Sequence, residues 1–66
     1  MPAQDRLYVH GAGDEFEFVI YDAVGKVVMK GKAVKDGIDV SELIPGIYML
    51  EVLTGKINYA VKVIRE

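Results

Sequence analysis

Hydrophobic and polar residues alternate along most of this chain, with the period of two that is typical of β-strands. In the clearest run, residues 15–21, two phenylalanines and an isoleucine alternate with two glutamates, a valine and a tyrosine. Successive side chains of a strand point to opposite faces, so this run predicts a strand with one buried and one wetter face. Alternation or short apolar runs predict five more strands, at residues 6–10, 27–29, 38–40, 47–54 and 57–64.

Turn-forming residues separate these runs. Residues 22–25 begin with Asp22 and end with Gly25, which is the preference of a type I turn. Asp36 followed by Gly37 is a hairpin signal. Two more glycines predict further turns, at Gly31 and Gly55.

The segment before the sixth run has a helix-capping pattern. Asp39 precedes Glu42 by three residues, so residues 39–43 predict a single helical turn with Asp39 as its cap. Pro45 and Gly46 should end this turn, because proline lacks the amide donor and glycine tolerates a positive φ. Pro45 is therefore expected in a structural turn, like Gly25 and Gly55.

Six to seven short strands separated by turns predict an all-β fold, a small antiparallel β-sandwich of the Ig-like kind. The run 47–53 is apolar on both faces apart from Glu51, so we expect it at the centre of a sheet. No linker, repeat or low-complexity segment divides the 66 residues, which predicts one domain over residues 1–66. A chain this short lies near the lower limit at which a hydrophobic core alone stabilises a fold.

The composition of the chain disfavours several classes of function. Hydrophobic residues make up 52% of the chain, which is too many for a disordered tail. The net charge of −2, without a basic cluster, disfavours binding to nucleic acid and to anionic membranes. Without cysteine, neither a disulfide nor a thiolate metal site can form. No apolar stretch reaches the length of about 18 residues that a transmembrane helix needs, and the polar N-terminus lacks the apolar core of a signal peptide.

Candidate catalytic residues are few. Ser41 and Thr54 fall in turn signals, where their hydroxyl groups bond to nearby backbone, and His10 stands alone at the end of a strand. Glu15 and Glu17 share a strand face, but we interpret them as solvated charges that prevent wrong strand pairing. We therefore expect no enzyme activity, no catalytic residue, no metal site and no cofactor.

Four segments, read in order, carry a resemblance to a known family. Residues 2–9 look like an opening Asn-Pro-Ala-x-Asp-x-Leu stretch, with Met1 in place of the asparagine, and residues 20–28 are similar to a central hairpin. Residues 38–48 match a pattern in which Asp-Val-Ser-x-Leu precedes Pro-Gly-x-Tyr, and residues 55–64 match a terminal Gly, Tyr, Lys-Val strand. Together they resemble the type IX secretion C-terminal sorting domain, type A, although that family commonly ends in a basic residue and this chain ends in Glu66.

The resemblance implies a non-catalytic address label at the C-terminus of a longer cargo protein, from which this chain would be a piece. Such cargo is exported to the periplasm and is then recognised by the type IX outer-membrane translocon and a shuttle protein. A sortase-like protease usually removes the domain, and the cargo reaches the outer-membrane surface or the medium. The spare edge strands also allow a homodimer.

The expected recognition surface lies on the last two strands. From the resemblance and the strand positions, the candidates for recognition by translocon or shuttle are Gly46, Tyr48, Lys62, Val63 and Arg65. For Gly46 and Tyr48 a purely structural role, in the turn and in the core, remains the competing interpretation. The alternative function is a structural or adhesive Ig-like binding module without a sorting role, which would use exposed Tyr8 and Tyr21.

Overall fold

The structure is a computed structural model that describes residues 2–3, 5–9, 15–34, 37–55 and 58–66. The described residues form seven strands: β1 (Pro2–Ala3), β2 (Arg6–Leu7), β3 (Glu15–Tyr21), β4 (Val27–Val34), β5 (Ile38–Asp39), β6 (Gly46–Leu53) and β7 (Asn58–Arg65).

The strands lie in two sheets. The larger sheet has the order β1-β7-β6-β3-β4. Its three long pairs, β7–β6, β6–β3 and β3–β4, are antiparallel. β1 adds a short parallel contact at the end of β7, and β2 pairs antiparallel with β5 in the second sheet. This confirms the predicted all-β antiparallel sandwich. β6 lies between β7 and β3, as expected for the run that is apolar on both faces.

One hydrophobic core joins the two sheets, because alternate residues of the long strands point towards the small sheet. β3 follows its predicted alternation, with Phe16, Phe18 and Ile20 buried. β2 and β5 contribute Leu7 and Ile38. The other buried hydrophobic residues are Ala33, Val40, Tyr48, Leu50, Val52 and Val63.

The β3–β4 connection is a tight turn over residues 22–25. The Asp22 carboxylate accepts hydrogen bonds from the backbone N–H groups of Val24 and Lys26, at 3.1 and 2.9 Å. The Gly25 N–H donates to the Asp22 carbonyl at 3.0 Å, and Gly25 has a φ of 90°. This conformation suits glycine, which has no Cβ to clash at positive φ.

Three local predictions are wrong. Gly31 lies inside β4, opposite Phe18, rather than in a turn. β4 and β5 belong to different sheets, so they form no hairpin at Gly37, and Asp36 lies outside the described residues. Residues 40–43 form a turn and not a helix, with Leu43 N–H bonded to the Val40 carbonyl, although the Asp39 carboxylate does accept a hydrogen bond from the Ser41 N–H as a cap would. His10 also lies outside the described residues.

Candidate functional site

The five residues predicted for recognition come together at one end of the β6–β7 ladder. Gly46 lies opposite Arg65, Tyr48 lies opposite Val63, and Lys62 lies opposite Met49. Since alternate residues share a face, Gly46, Tyr48, Val63 and Arg65 lie on the core side, while Lys62 lies on the outer side. We call this end of the ladder, residues 44–49 and 62–65, the Gly46 corner.

Tyr48 and Val63 are buried on the core side of the Gly46 corner. They are 7% and 4% exposed. The Tyr48 hydroxyl donates a hydrogen bond of 2.5 Å to the Ile44 carbonyl, which fixes the chain just before β6 begins. A partner on the surface therefore has little access to either side chain.

Arg65 ties the last strand to the turn after β5. Its Nε donates to the Val40 carbonyl at 3.0 Å, and its Nη2 lies 3.3 Å from the Ser41 carbonyl oxygen. Its Nη1 donates to the carbonyl of Glu66 at 3.2 Å. Guanidinium N–H groups fan out in a fixed plane, which suits several carbonyl acceptors at once. Arg65 is thus half-buried and engaged within the domain.

Gly46 is not in a conformation that requires glycine. The described glycines with positive φ are Gly25, Gly37 and Gly55, and Gly46 is not among them. A Cβ placed on Gly46 would meet its nearest neighbour, the Tyr48 ring, at 3.9 Å, which is an ordinary van der Waals contact. The explanation of Gly46 by a positive φ is therefore wrong, and the fold itself would accept alanine there. Pro45 is exposed in the segment that leads into β6.

The outer side of the corner is apolar. Ile47 pairs with Ile64 across the two strands, and these side chains are 51% and 41% exposed. Met49 lies on the same face, two residues further along β6. We define the apolar patch as the exposed residues Val24, Ile44, Ile47, Met49 and Ile64. Exposed apolar clusters of this kind often mark contact sites for other proteins.

A shallow groove crosses the patch. It has a volume of about 260 Å³ and lies between the β3–β4 turn, with Val24, and the segment that contains Ile44, Pro45 and Ile47. Gly46 lines the same groove. The missing Cβ therefore leaves the backbone open to close approach at a point flanked by apolar side chains.

Sequence reasoning named Gly46 and Lys62 but did not name Val24, Ile44 or Ile64. A signal was present for Ile64, which is apolar on the outer face of β7, whereas Val24 and Ile44 lie outside the long strands. We interpreted the two apolar faces of the run 47–53 as a sign of a central strand, which is confirmed, but Ile47 and Met49 on its outer face are 51% and 41% exposed. Two-sided apolarity therefore indicated a contact surface as much as a central strand.

Two ionisable side chains near the corner have shifted pKa values. The Tyr21 hydroxyl donates to Glu51 Oε1 at 2.9 Å, and this hydrogen bond, followed by partial desolvation and the carboxylate charge, raises the pKa of Tyr21. Hydrogen bonds from the Ser41 side chain and N–H lower the pKa of Asp39, with a further contribution from Arg6. Tyr21 is therefore engaged in the sheet, whereas Tyr8 is 52% exposed.

Ser41 and Thr54 both lie in or beside turns, and the Ser41 N–H donates to Asp39 Oδ1 at 3.0 Å. Across the described residues, no three histidine, cysteine or carboxylate side chains are grouped so that they could hold a metal ion. None of the described residues belongs to a helix with the length and apolarity that a membrane crossing requires.

A family model described as a secretion system C-terminal sorting domain matches residues 1–66, the whole chain. No match was found among curated proteins or among solved structures.

Proposed function

The chain belongs to the family of type IX secretion C-terminal sorting domains, and we propose that it is the non-catalytic signal that directs a fused cargo protein through the outer-membrane translocon. The observation that carries this proposal is the match of the family model over all 66 residues. Membership implies export through this system towards the cell surface or the extracellular space.

The proposal extends to the fate of the cargo. The cargo protein precedes this domain, passes through the periplasm, and is handed by a shuttle protein to the translocon. A sortase-like protease then removes the domain at the outer-membrane surface. A small folded module with a distinctive surface suits this role, because the machinery must recognise many unrelated cargoes by one shared label.

We place the recognised surface at the Gly46 corner. Gly46 supports this placement because it lines the groove of the apolar patch and neither its φ nor its packing requires glycine. The apolar patch supplies contact area, and Lys62 supplies an exposed charge on the same outer face. Tyr48, Val63 and Arg65 contribute by holding the corner in shape.

A fusion experiment tests the sorting role. Residues 2–66 are attached to the C-terminus of an exported fluorescent protein in a type IX-competent strain, and the fluorescence is located by cell fractionation. We expect it at the cell surface or in the medium, and in the periplasm when the translocon is deleted. Intact-mass analysis of the surface protein should show that the domain has been removed.

Matched variants test the recognition surface in the same strain. Gly46→Ala and Lys62→Ala should reduce export without unfolding the domain. Gly31→Ala is the control for Gly46, because it also lies in a strand and its added Cβ would make only van der Waals contact, at 3.7 Å. Lys26→Ala is the control for Lys62, because Lys26 is exposed and does not line the groove. Equal export of all four variants would move recognition away from the Gly46 corner.

Retention of the unmodified fusion in the periplasm, with the domain folded, would contradict the sorting role. It would favour the alternative, an Ig-like binding module, and the next measurement would then be a search for ligands at exposed Tyr8 and the apolar patch.

A further inference from the structure

The outer edge of β4 has no strand paired with it among the described residues. β4 is eight residues long, and its sequence contains no proline. An edge of this length presents a row of backbone N–H and C=O groups that another extended segment can pair with. The side chains along β4 decide which segments fit.

Two lysines dominate the outer face of this edge. Lys30 and Lys32 lie at alternate positions of β4 and are exposed. Lys32 lies opposite Glu17, and its Nζ is 3.7 Å from Glu15 Oε1. Lys30 lies opposite Val19, so no acidic residue faces it directly from β3. β3 therefore carries as many glutamates as β4 carries lysines, but both glutamates lie beside Lys32 and neither lies directly opposite Lys30.

The same lysines disfavour pairing with a second copy of the chain. Antiparallel pairing of two β4 strands about Gly31 would place Lys30 of each copy opposite Lys32 of the other. Centring the pair on Lys30 or on Lys32 would place that lysine opposite itself. Like charges directly opposite each other destabilise a strand pair, so these three registers of self-pairing are disfavoured.

β3, which pairs with β4 in the sheet, shows which side-chain pattern is compatible with this strand. Its glutamates lie on the outer face, with Glu17 opposite Lys32, and its phenylalanines lie on the inner face, with Phe18 opposite Gly31. Gly31 is exposed on that inner face, and a Cβ there would lie 3.7 Å from the Phe18 ring. An apolar side chain from an added strand would have room opposite Gly31 and would extend the core past Phe18.

We propose that the outer edge of β4 binds an extended segment of a partner protein that carries acidic side chains at alternate positions and apolar side chains between them. The carboxylates would face Lys30 and Lys32, and the backbone would continue the sheet beyond β4. This edge is separated from the Gly46 corner by β3, and the inference does not depend on the sorting role.

Peptides test the proposal with the 66-residue chain itself. The probes are a capped hexapeptide of alternating valine and glutamate, its valine–lysine counterpart, and a valine–glutamate peptide N-methylated along one edge. NMR of the labelled domain should show saturable shifts and slower hydrogen exchange in β4 with the first peptide only. Reversing both charges, with Lys30→Glu and Lys32→Glu, should weaken binding of the valine–glutamate peptide about tenfold. The same double variant should bind the valine–lysine peptide.

Lys62→Glu is the matched control, because Lys62 is an exposed outer-face lysine on β7. It should leave the binding to β4 unchanged, and added salt should weaken binding in the unmodified domain. The proposal is overturned if the valine–glutamate peptide fails to bind, if both peptides bind equally, if the N-methylated peptide binds as well as its parent, or if the shifts map to another strand.

Discussion

At the scale of single residues, Gly25 and Gly46 occupy contrasting backbone conformations and should respond differently to alanine. Gly25→Ala should destabilise the domain by about 1 kcal/mol, because its φ of 90° is unfavourable for a residue with a Cβ. Gly46→Ala should change the free energy of unfolding by less than about 0.5 kcal/mol, since the added methyl group makes only an ordinary contact. Urea unfolding of both variants measures the difference, and equal losses would show that the fold does need glycine at position 46.

Asp39 gives a prediction about acid stability. Hydrogen bonds from Ser41 lower the pKa of Asp39 in the folded state below its usual 3.8, so the folded state favours the carboxylate. Asp39 therefore contributes stability above its unfolded pKa and loses that contribution as the pH falls through the folded value. Asp39→Asn keeps an acceptor for the Ser41 N–H but cannot ionise.

The free energy of unfolding, measured in urea from pH 6 down to pH 2, should consequently fall less steeply below about pH 4 in Asp39→Asn than in the unmodified domain. The effect should be small, because Asp39 is exposed to solvent. Asp5→Asn is the matched control, since Asp5 is also an exposed aspartate and its contact with the turn runs through its backbone carbonyl. Parallel curves for Asp39→Asn and the unmodified domain would show that Ser41 does not stabilise the ionised form.

At the scale of elements, β6 has one buried face and one exposed face. Leu50 is 1% exposed and Met49 is 41% exposed. Leu50→Ala should cost about 2–5 kcal/mol, because it removes buried methyl groups and leaves a cavity. That loss is comparable with the whole stability of a domain this small, about 3–10 kcal/mol. Met49→Ala should cost much less, and thermal unfolding followed by circular dichroism compares the two. Equal destabilisation would mean that the outer side of β6 is covered as well.

The strands themselves were largely predictable from local pattern. Alternation located β3 at its observed bounds and placed β6 and β7 to within one residue at each end. β4 was predicted too short, because Gly31 was interpreted as a turn signal, whereas its φ is not positive and it continues β4 opposite Phe18. Glycine indicates a turn through its backbone freedom, but it can equally lie inside a strand. Sequence alone does not distinguish these two uses.

At the scale of the whole molecule, the pairing of strands distant in sequence could not be predicted from the alternation of hydrophobic and polar residues. β2 pairs with β5, and β1 lies parallel to β7 at the opposite end of the chain. Two-residue strands carry too little pattern to select a partner. The candidate site was predicted in part, since the five expected residues do converge. A core position for Tyr48 was the competing interpretation and is confirmed, whereas the hydrogen bonds of Arg65 to the carbonyls of Val40 and Ser41 were not predicted.

Association between whole molecules depends on the charge of the β4 edge. If Lys30 and Lys32 keep two β4 strands apart, then Lys30→Thr with Lys32→Thr should let the domain dimerise, because threonine favours strand pairing and removes the repulsion. Sedimentation velocity over a wide concentration range should show a coefficient that rises with concentration in this double variant. The unmodified domain should stay monomeric over the same range, and so should Lys62→Thr, which changes an exposed lysine of β7. A double variant that sediments like the unmodified domain at every concentration would contradict this account of β4.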